Sequence, residues 1–167
     1  MDSIYQFNAS LYTSENMPLS QFKGKTVLIV NTASKCSFSA QLAALEKLYQ
    51  EYQPHGFSIL AFPCNQFGQN EPLDNLAIND FYQQHFNVSF PIFGKVMVNG
   101  PEAHPLFNYL KAHTRGISKN RAIKWNFTKF LINPQGQLIA RYAPRTKPDT
   151  LRQVIDNCLN EFNSQSA

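Results

Sequence analysis

Two short runs, Thr26-Val-Leu-Ile-Val-Asn31 and Phe57-Ser-Ile-Leu-Ala-Phe62, decide the fold. Both are nearly continuous in apolar residues and bounded by chain breakers: Gly24 before the first, Pro54 and Gly56 before the second, and Pro63 after it. That is the pattern of strands buried on both faces. Between them, from Ser39 to Tyr52, residues Leu42, Leu45, Leu48, Tyr49 and Tyr52 recur at the three-and-four spacing of an amphipathic helix. Strand, helix and strand over residues 26–62 form a unit long enough for a right-handed parallel crossover, so the chain reads as α/β.

Downstream, Asp74 is placed to N-cap a helix that carries Leu76, Ile78, Phe81, Tyr82 and His85. Pro91-Ile-Phe93 reads as a short strand, and His104 to His113 as a short helix with Leu106, Phe107 and Leu110 on one face. Phe127 to Ile132 and Gln137 to Tyr142 flank Asn133-Pro-Gln-Gly136, whose turn chemistry predicts an antiparallel hairpin. A closing helix is expected from about Asp149 to Phe162, burying Leu151, Val154, Ile155, Cys158, Leu159 and Phe162. The expected architecture is a single domain, residues 1–167, with a mixed central sheet and helices on both faces.

Composition agrees. A chain of 167 residues removes roughly two-thirds of its unfolded surface from water, and 43% hydrophobic against 16% charged residues excludes a disordered polyelectrolyte. Lys plus Arg number 15 against 11 for Asp plus Glu, a net charge of +4, and the sequence pI is near 9.0. The densest basic groups, Arg115, Lys119, Arg121 and Lys124, then Arg141, Arg145 and Lys147, do not alternate with aromatics as a base-stacking surface would, so no nucleic-acid partner is expected. No apolar run approaches the ~18 residues needed to span a bilayer, and Met1 to Ser10 lacks a cationic segment leading into an apolar one. A cytoplasmic location without stable membrane insertion is the expectation. Three cysteines, Cys36, Cys64 and Cys158, are odd in number and form no C-x-x-C, and the four histidines show no ligand spacing, so neither a disulfide framework nor a metal or cofactor site is expected.

Cys36 is the informative cysteine. It lies between the end of the first strand and the start of the helix, where open α/β sheets place their ligand sites. A nearby helix N-terminus and Lys35 both favour a thiolate at this position. An inert buried cysteine is the plain alternative.

Three blocks resemble the signatures of the glutathione peroxidase family: Asn31-Thr-Ala-Ser-Lys-Cys-Ser-Phe-Ser-Ala-Gln41, then Gly56-Phe-Ser-Ile-Leu-Ala-Phe-Pro-Cys-Asn-Gln-Phe-Gly68 with Glu71-Pro72, then Trp125-Asn-Phe-Thr-Lys-Phe-Leu131. The resemblance runs from Ile4-Tyr-Gln-Phe7 to the terminal helix and implies a thioredoxin-like fold and reduction of hydroperoxides by a cysteine. It also implies a catalytic tetrad, which falls on Cys36, Asn70, Trp125 and Asn126. The family usually has Gln where Asn70 stands, with Gln69 beside it. Around Cys36 the chain departs at Ser37 for Gly, Ser39 for Thr and Ala40 for Pro. Chemically, a thiolate that attacks an O–O bond becomes a sulfenic acid and places negative charge on the departing oxygen, where indole and amide N–H groups lower the barrier.

In relatives that use thioredoxin, the resemblance places a resolving cysteine after an acidic-Phe pair; counting from Asp80-Phe81, that position is Gln83. The implied function is a thiol-dependent peroxidase of hydrogen peroxide and organic or lipid hydroperoxides. An external thiol such as glutathione resolves the sulfenic acid, and the role lies in the oxidative stress response. Lys35, Lys124, Arg145 and Lys147 are candidates to hold glutathione carboxylates. Two alternatives stay open: a thioredoxin-dependent peroxidase, and a peroxide sensor that relays oxidation to a partner protein. Only Thr114 to Lys124 separates the short helix from Trp125, which suggests a monomer or weak dimer with an open site. Cys64 and Cys158 read as packing residues.

Overall fold

The computed structural model describes residues 2–114 and 121–166. Its strands are β1 (Asn8–Ser10), β2 (Asn16–Pro18), β3 (Thr26–Thr32), β4 (Phe57–Pro63), β5 (Lys129–Ile132) and β6 (Leu138–Tyr142), and its helices α1 (Gln41–Tyr52), α2 (Asn75–Phe86), α3 (Pro105–His113) and α4 (Arg152–Ser166). The main sheet has the order β4-β3-β5-β6. Here β3 pairs parallel with β4, Thr26 opposite Phe57 and Thr32 opposite Pro63, and antiparallel with β5 on its other side. All seven residues of β3 and of β4 are buried, as continuous apolar runs require. Successive side chains take opposite faces: Leu28 and Val30 join one core with residues of α1, α2 and α4, whereas Val27 and Ile29 join a second core with Leu106, Phe107 and Leu110 of α3. Helices therefore cover both faces of a mixed sheet, as expected.

Several boundaries move for identifiable reasons. Helix α1 begins at Gln41 rather than Ser39, because Ser37 to Ala40 form turns closed by Gln41 N–H to Phe38 O (2.8 Å) and Leu42 N–H to Ser39 O (3.0 Å). The hairpin strand begins at Lys129 rather than Phe127, because Phe127 has φ of 67° and cannot extend a strand. Segment 91–93 makes isolated bridges and no strand; Pro91 has no N–H to give, yet its carbonyl accepts from Ala61 (3.0 Å) and Phe93 N–H reaches Ala61 O (2.9 Å), which covers the free edge of β4. The closing helix is preceded by a 3-10 turn, Pro148–Leu151, and Val154 and Phe162 are half-buried rather than buried. The β1–β2 hairpin carries no periodic signal: Asn8, Ser10 and Asn16 are polar and exposed.

Of the basic groups, Arg115 and Lys119 lie outside the described residues. Arg121 and Arg141 are structural: Arg121 donates to Ala112 O (2.9 Å), and Arg141 donates to Arg121 O (2.8 Å) and Ala122 O (2.9 Å) while stacking on Phe130. No helix among the described residues is long and apolar enough to cross a membrane.

The least expected core residue is Lys129, which has no exposed surface. Its ammonium donates to Pro144 O (2.8 Å), Thr146 O (2.7 Å) and Ala143 O (3.5 Å), and so holds the 143–146 segment to β5. Three acceptors suit a three-donor ammonium, but burial opposes the charge and pushes the pKa down to about 7. Between about 7 and the ordinary lysine value of 10.5 the folded chain then binds fewer protons than the unfolded chain, so this site makes stability rise with pH across that window. Denaturant titrations between pH 7.5 and 9.5 are expected to show wild type gaining on Lys129→Met by roughly 1 kcal/mol per pH unit. A difference that stays flat means that the carbonyls keep Lys129 charged throughout.

Candidate active site

Cys36 follows β3 by four residues and is 7% exposed. Ser39 shapes the turn around it: the Ser39 hydroxyl donates to Ala33 O (2.7 Å) and accepts Cys36 N–H (3.0 Å), and Ser39 N–H returns to Cys36 O (3.0 Å). Serine thus supplies the hydroxyl that this turn needs. The Phe38 N–H then points at Cys36 Sγ from 3.4 Å. The donor at the sulfur is a turn amide, since α1 itself starts five residues later; this corrects the expectation of a helix N-terminus against the thiol.

The second block meets the first through Lys35 N–H to Asn70 O (3.0 Å). Residues Gly68 and Gln69 both take positive φ, 64° and 52°, which coils the loop so that Gln69 is exposed while Asn70 is half-buried. Gly68 is required by its neighbours as well as by its φ: a Cβ there would lie 3.1 Å from the Trp125 ring and 3.2 Å from Asn70 Nδ2. The Asn70 amide and the indole ring therefore both converge on Gly68.

Asn31 brings the third block. Its side chain donates to Trp125 O (3.1 Å) and accepts Thr128 N–H (3.1 Å), and its carbonyl accepts Phe127 N–H (2.6 Å). These bonds and the buried Phe127 ring hold Phe127 in its left-handed conformation, a strain of order 1–3 kcal/mol. The turn that results leaves Trp125 36% exposed, resting on Phe67 at 5.9 Å between ring centroids, while Asn126 is fully buried. Asn126 Nδ2 donates to Phe67 O (3.4 Å), so one of its two N–H groups is already engaged. Asn31 and Gly68 were not singled out as site residues; a buried asparagine ending an apolar strand was the available signal for the first.

The basic candidates lie on the surface. Lys35, Lys124, Arg145 and Lys147 are all exposed. Lys35 and Lys124 adjoin Cys36 and Trp125 in the chain, and Gln41 Nε2 donates to Pro144 O (2.8 Å), tying the segment of Arg145 to the start of α1. Cys64, with its N–H on Thr32 O (3.0 Å), is fully buried and belongs to the core on the α3 face, whereas Cys36 and Cys158 belong to the other. Burial pushes the Cys64 and Cys158 thiols up, which disfavours their thiolates. Among the described residues no group of three or more His, Cys, Asp or Glu could hold a metal ion.

Two substitutions read this geometry. Trp125→Phe keeps the ring on Phe67 and removes the indole N–H; oxidation of Cys36 by peroxide is expected to slow at least about a hundredfold with little change in melting temperature. Gly68→Ala pushes both the indole and Asn70, and a loss of about ten- to a hundredfold in the same rate is expected. Stopped-flow fluorescence of the sole tryptophan checks both rates in the Gly68 variant, and rapid-quench mass spectrometry does so where the tryptophan is gone.

Comparison with known proteins converges on one group. A sequence model of the glutathione peroxidase family matches residues 4–111. The glutathione peroxidase homolog BsaA of Bacillus subtilis is 46% identical over 159 residues, covering 95% of this chain and 99% of that protein. The hydroperoxy fatty acid reductase gpx1 of Synechocystis sp. is 44% identical over 163 residues, covering 95% and 96%. The crystal structure titled Trgpx in apo form superposes with a TM-score of 0.80 at 38% identity, covering 95% of this chain and 96% of that one. A thioredoxin-family thiol:disulfide interchange protein of Chlorobium tepidum, at 14% identity and a TM-score of 0.68 over 92% of both chains, shares the fold. The chain is a member of the glutathione peroxidase family, a thiol-dependent hydroperoxide reductase on a thioredoxin-like fold.

Proposed function

We propose that the chain works as a one-cysteine peroxidase in which Cys36 is oxidised by a hydroperoxide and restored by a free low-molecular-weight thiol such as glutathione, with no cofactor. The observation that carries this reading is the convergence of a donor on Cys36 Sγ, from Phe38 N–H at 3.4 Å, with the Asn70 and Trp125 side chains meeting over Gly68 in the adjoining loop. The Cys36 thiolate attacks one peroxide oxygen; the S–O bond forms as the O–O bond breaks, and the departing oxygen leaves as an alcohol or water after taking a proton. Asn70, Trp125 and the remaining N–H of Asn126 donate to the charge on that oxygen. One thiol then displaces water from the sulfenic acid to give a mixed disulfide, and a second thiol displaces Cys36 and leaves as the disulfide dimer.

Several features support the finer assignments. No cysteine follows Asp80-Phe81 on α2, where Gln83 is exposed; Cys64 lies across the sheet from Cys36, and burial disfavours the thiolate of Cys158, which shares the core with Cys36, so these features speak against an internal disulfide. This favours a small thiol over thioredoxin, with Lys35, Lys124, Arg145 and Lys147 available to glutathione carboxylates. The half-exposed indole and the name of the Synechocystis relative favour lipid hydroperoxides among the substrates. A monomer or weak dimer in the cytoplasm, serving the oxidative stress response, is the working assignment. The same lack of an internal partner would suit a sensor that hands its sulfenic acid to a client protein. Turnover separates the two: many equivalents of peroxide consumed with excess glutathione support the peroxidase, and a single equivalent supports the sensor.

Peroxide treatment without added thiol is expected to add oxygen to Cys36 alone, as sulfenic and then sulfinic acid, by peptide mass spectrometry. A loss of two hydrogens with a Cys36–Cys64 or Cys36–Cys158 linked peptide overturns the one-cysteine mechanism. Cys64→Ser and Cys158→Ser are expected to keep glutathione-dependent turnover, and Cys36→Ser to lose it.

A further inference from the structure

Glu71 has no exposed surface, and no ammonium or guanidinium is bonded to its carboxylate among the described residues. Lys95, whose charge favours the carboxylate, donates instead to the carbonyls of Glu71 (3.2 Å) and Leu73 (2.7 Å). The carboxylate is held by hydroxyl groups. Ser34 Oγ lies 2.7 Å from Oε1 and 2.8 Å from Oε2, and Tyr82 OH lies 2.8 Å from Oε2. Tyr82 OH is also 2.9 Å from Thr32 Oγ1; having one proton, it gives that proton to the carboxylate and accepts from Thr32. Burial pushes the Glu71 carboxyl above the ordinary carboxylate range, opposed by the bonds from Ser34 and Tyr82. A buried acid without a cation is a costly way to fill space, and an amide or an apolar side chain would fill it more cheaply.

Its placement suggests the use. Ser34 stands two residues before Cys36, and Glu71 directly follows Asn70. Two links join these loops: Lys35 N–H to Asn70 O, and the Ser34 hydroxyl on the Glu71 carboxylate. The Tyr82 bond fixes the same carboxylate to α2, and the Glu71 N–H is held by Asn65 Oδ1 (2.9 Å).

We propose that Glu71 is a positioning residue for the oxidation step, its carboxylate clamping Ser34 and Tyr82 so that the sulfur of Cys36 and the amide of Asn70 stand at the separation that a peroxide O–O bond requires. The role rests on Asn70 being a donor to the reacting oxygen. Peroxide needs both loops in register, whereas alkylation of Cys36 by iodoacetamide needs the thiolate alone. The two reactions therefore separate a positioning effect from a change in the thiol itself.

The test measures second-order rates of Cys36 with hydrogen peroxide and with iodoacetamide for wild type, Ser34→Ala, Ser34→Thr, Glu71→Gln and Asn70→Ala, with melting temperatures as a check on folding. Ser34→Ala and Glu71→Gln are expected to lose at least about tenfold with peroxide and to stay within about twofold with iodoacetamide. Ser34→Thr, which restores the hydroxyl, is expected to recover most of the peroxide rate. Equal losses in both reactions, or a peroxide rate within twofold of wild type in folded Ser34→Ala, overturn the proposal; should Glu71→Gln fail to fold, the Ser34 pair decides alone. If Asn70→Ala leaves the peroxide rate unchanged, the donor reading fails and takes the proposal with it. If Asn70→Ala is slow while Ser34→Ala is not, the donor reading stands and the clamp alone is wrong.

Discussion

Everything at the site hangs from the C-terminal end of β3. The strand is buried along its length and paired on both sides, so its end is a fixed point. Each residue there reaches a different segment: Asn31 takes the Trp125–Thr128 turn, Thr32 takes Tyr82 of α2 and the Cys64 amide, and Ser34 takes Glu71. Segments far apart in sequence are thereby referred to one rigid origin, and the Cys36 turn starts from the same place. Backbone hydrogen bonds from a central strand give little of this reach; it comes from polar side chains placed where an apolar residue would pack more cheaply.

Those polar groups carry local costs. The Phe127 backbone is left-handed, Glu71 is a buried acid held by hydroxyls, Lys129 is a buried base held by carbonyls, and Asn126 Oδ1 is buried with no hydrogen-bond partner. Each is unfavourable locally and tolerated because the two apolar cores on either side of the sheet supply the stability of the whole. Elsewhere the described core combines aromatic packing, such as Phe62 stacked on Phe93 at 4.4 Å and set edge-on to Phe107, with a second buried acid, Glu46, held by Ser89 and Gln50.

The 143–147 segment is also held by polar side chains. Lys129, which belongs to the Trp125 block, and Gln41, which opens the helix after Cys36, both donate to Pro144 O. The basic residues Arg145 and Lys147 thus ride on a segment held by the two blocks that carry the chemistry.

Much of this was legible in the chain itself, because the signals are local. Continuous apolar runs at 26–31 and 57–62, leucines at helical spacing, Asp74 as a cap and the Asn133-to-Gly136 turn each report a preference of neighbouring residues, and each element formed within a few residues of its expected place. The family blocks likewise pointed to Cys36, Asn70, Trp125 and Asn126. Tertiary structure decided what depends on residues distant in sequence. It brought the Asn70 amide and the indole together on Gly68 and left Gln69 exposed, moved the donor at Cys36 from a helix end to the Phe38 amide, and set Asn31 and Glu71 as supports. Composition and spacing do not record such assignments, because a hydrogen bond between residues 31 and 125, or 34 and 71, exists only once the sheet has brought their loops together.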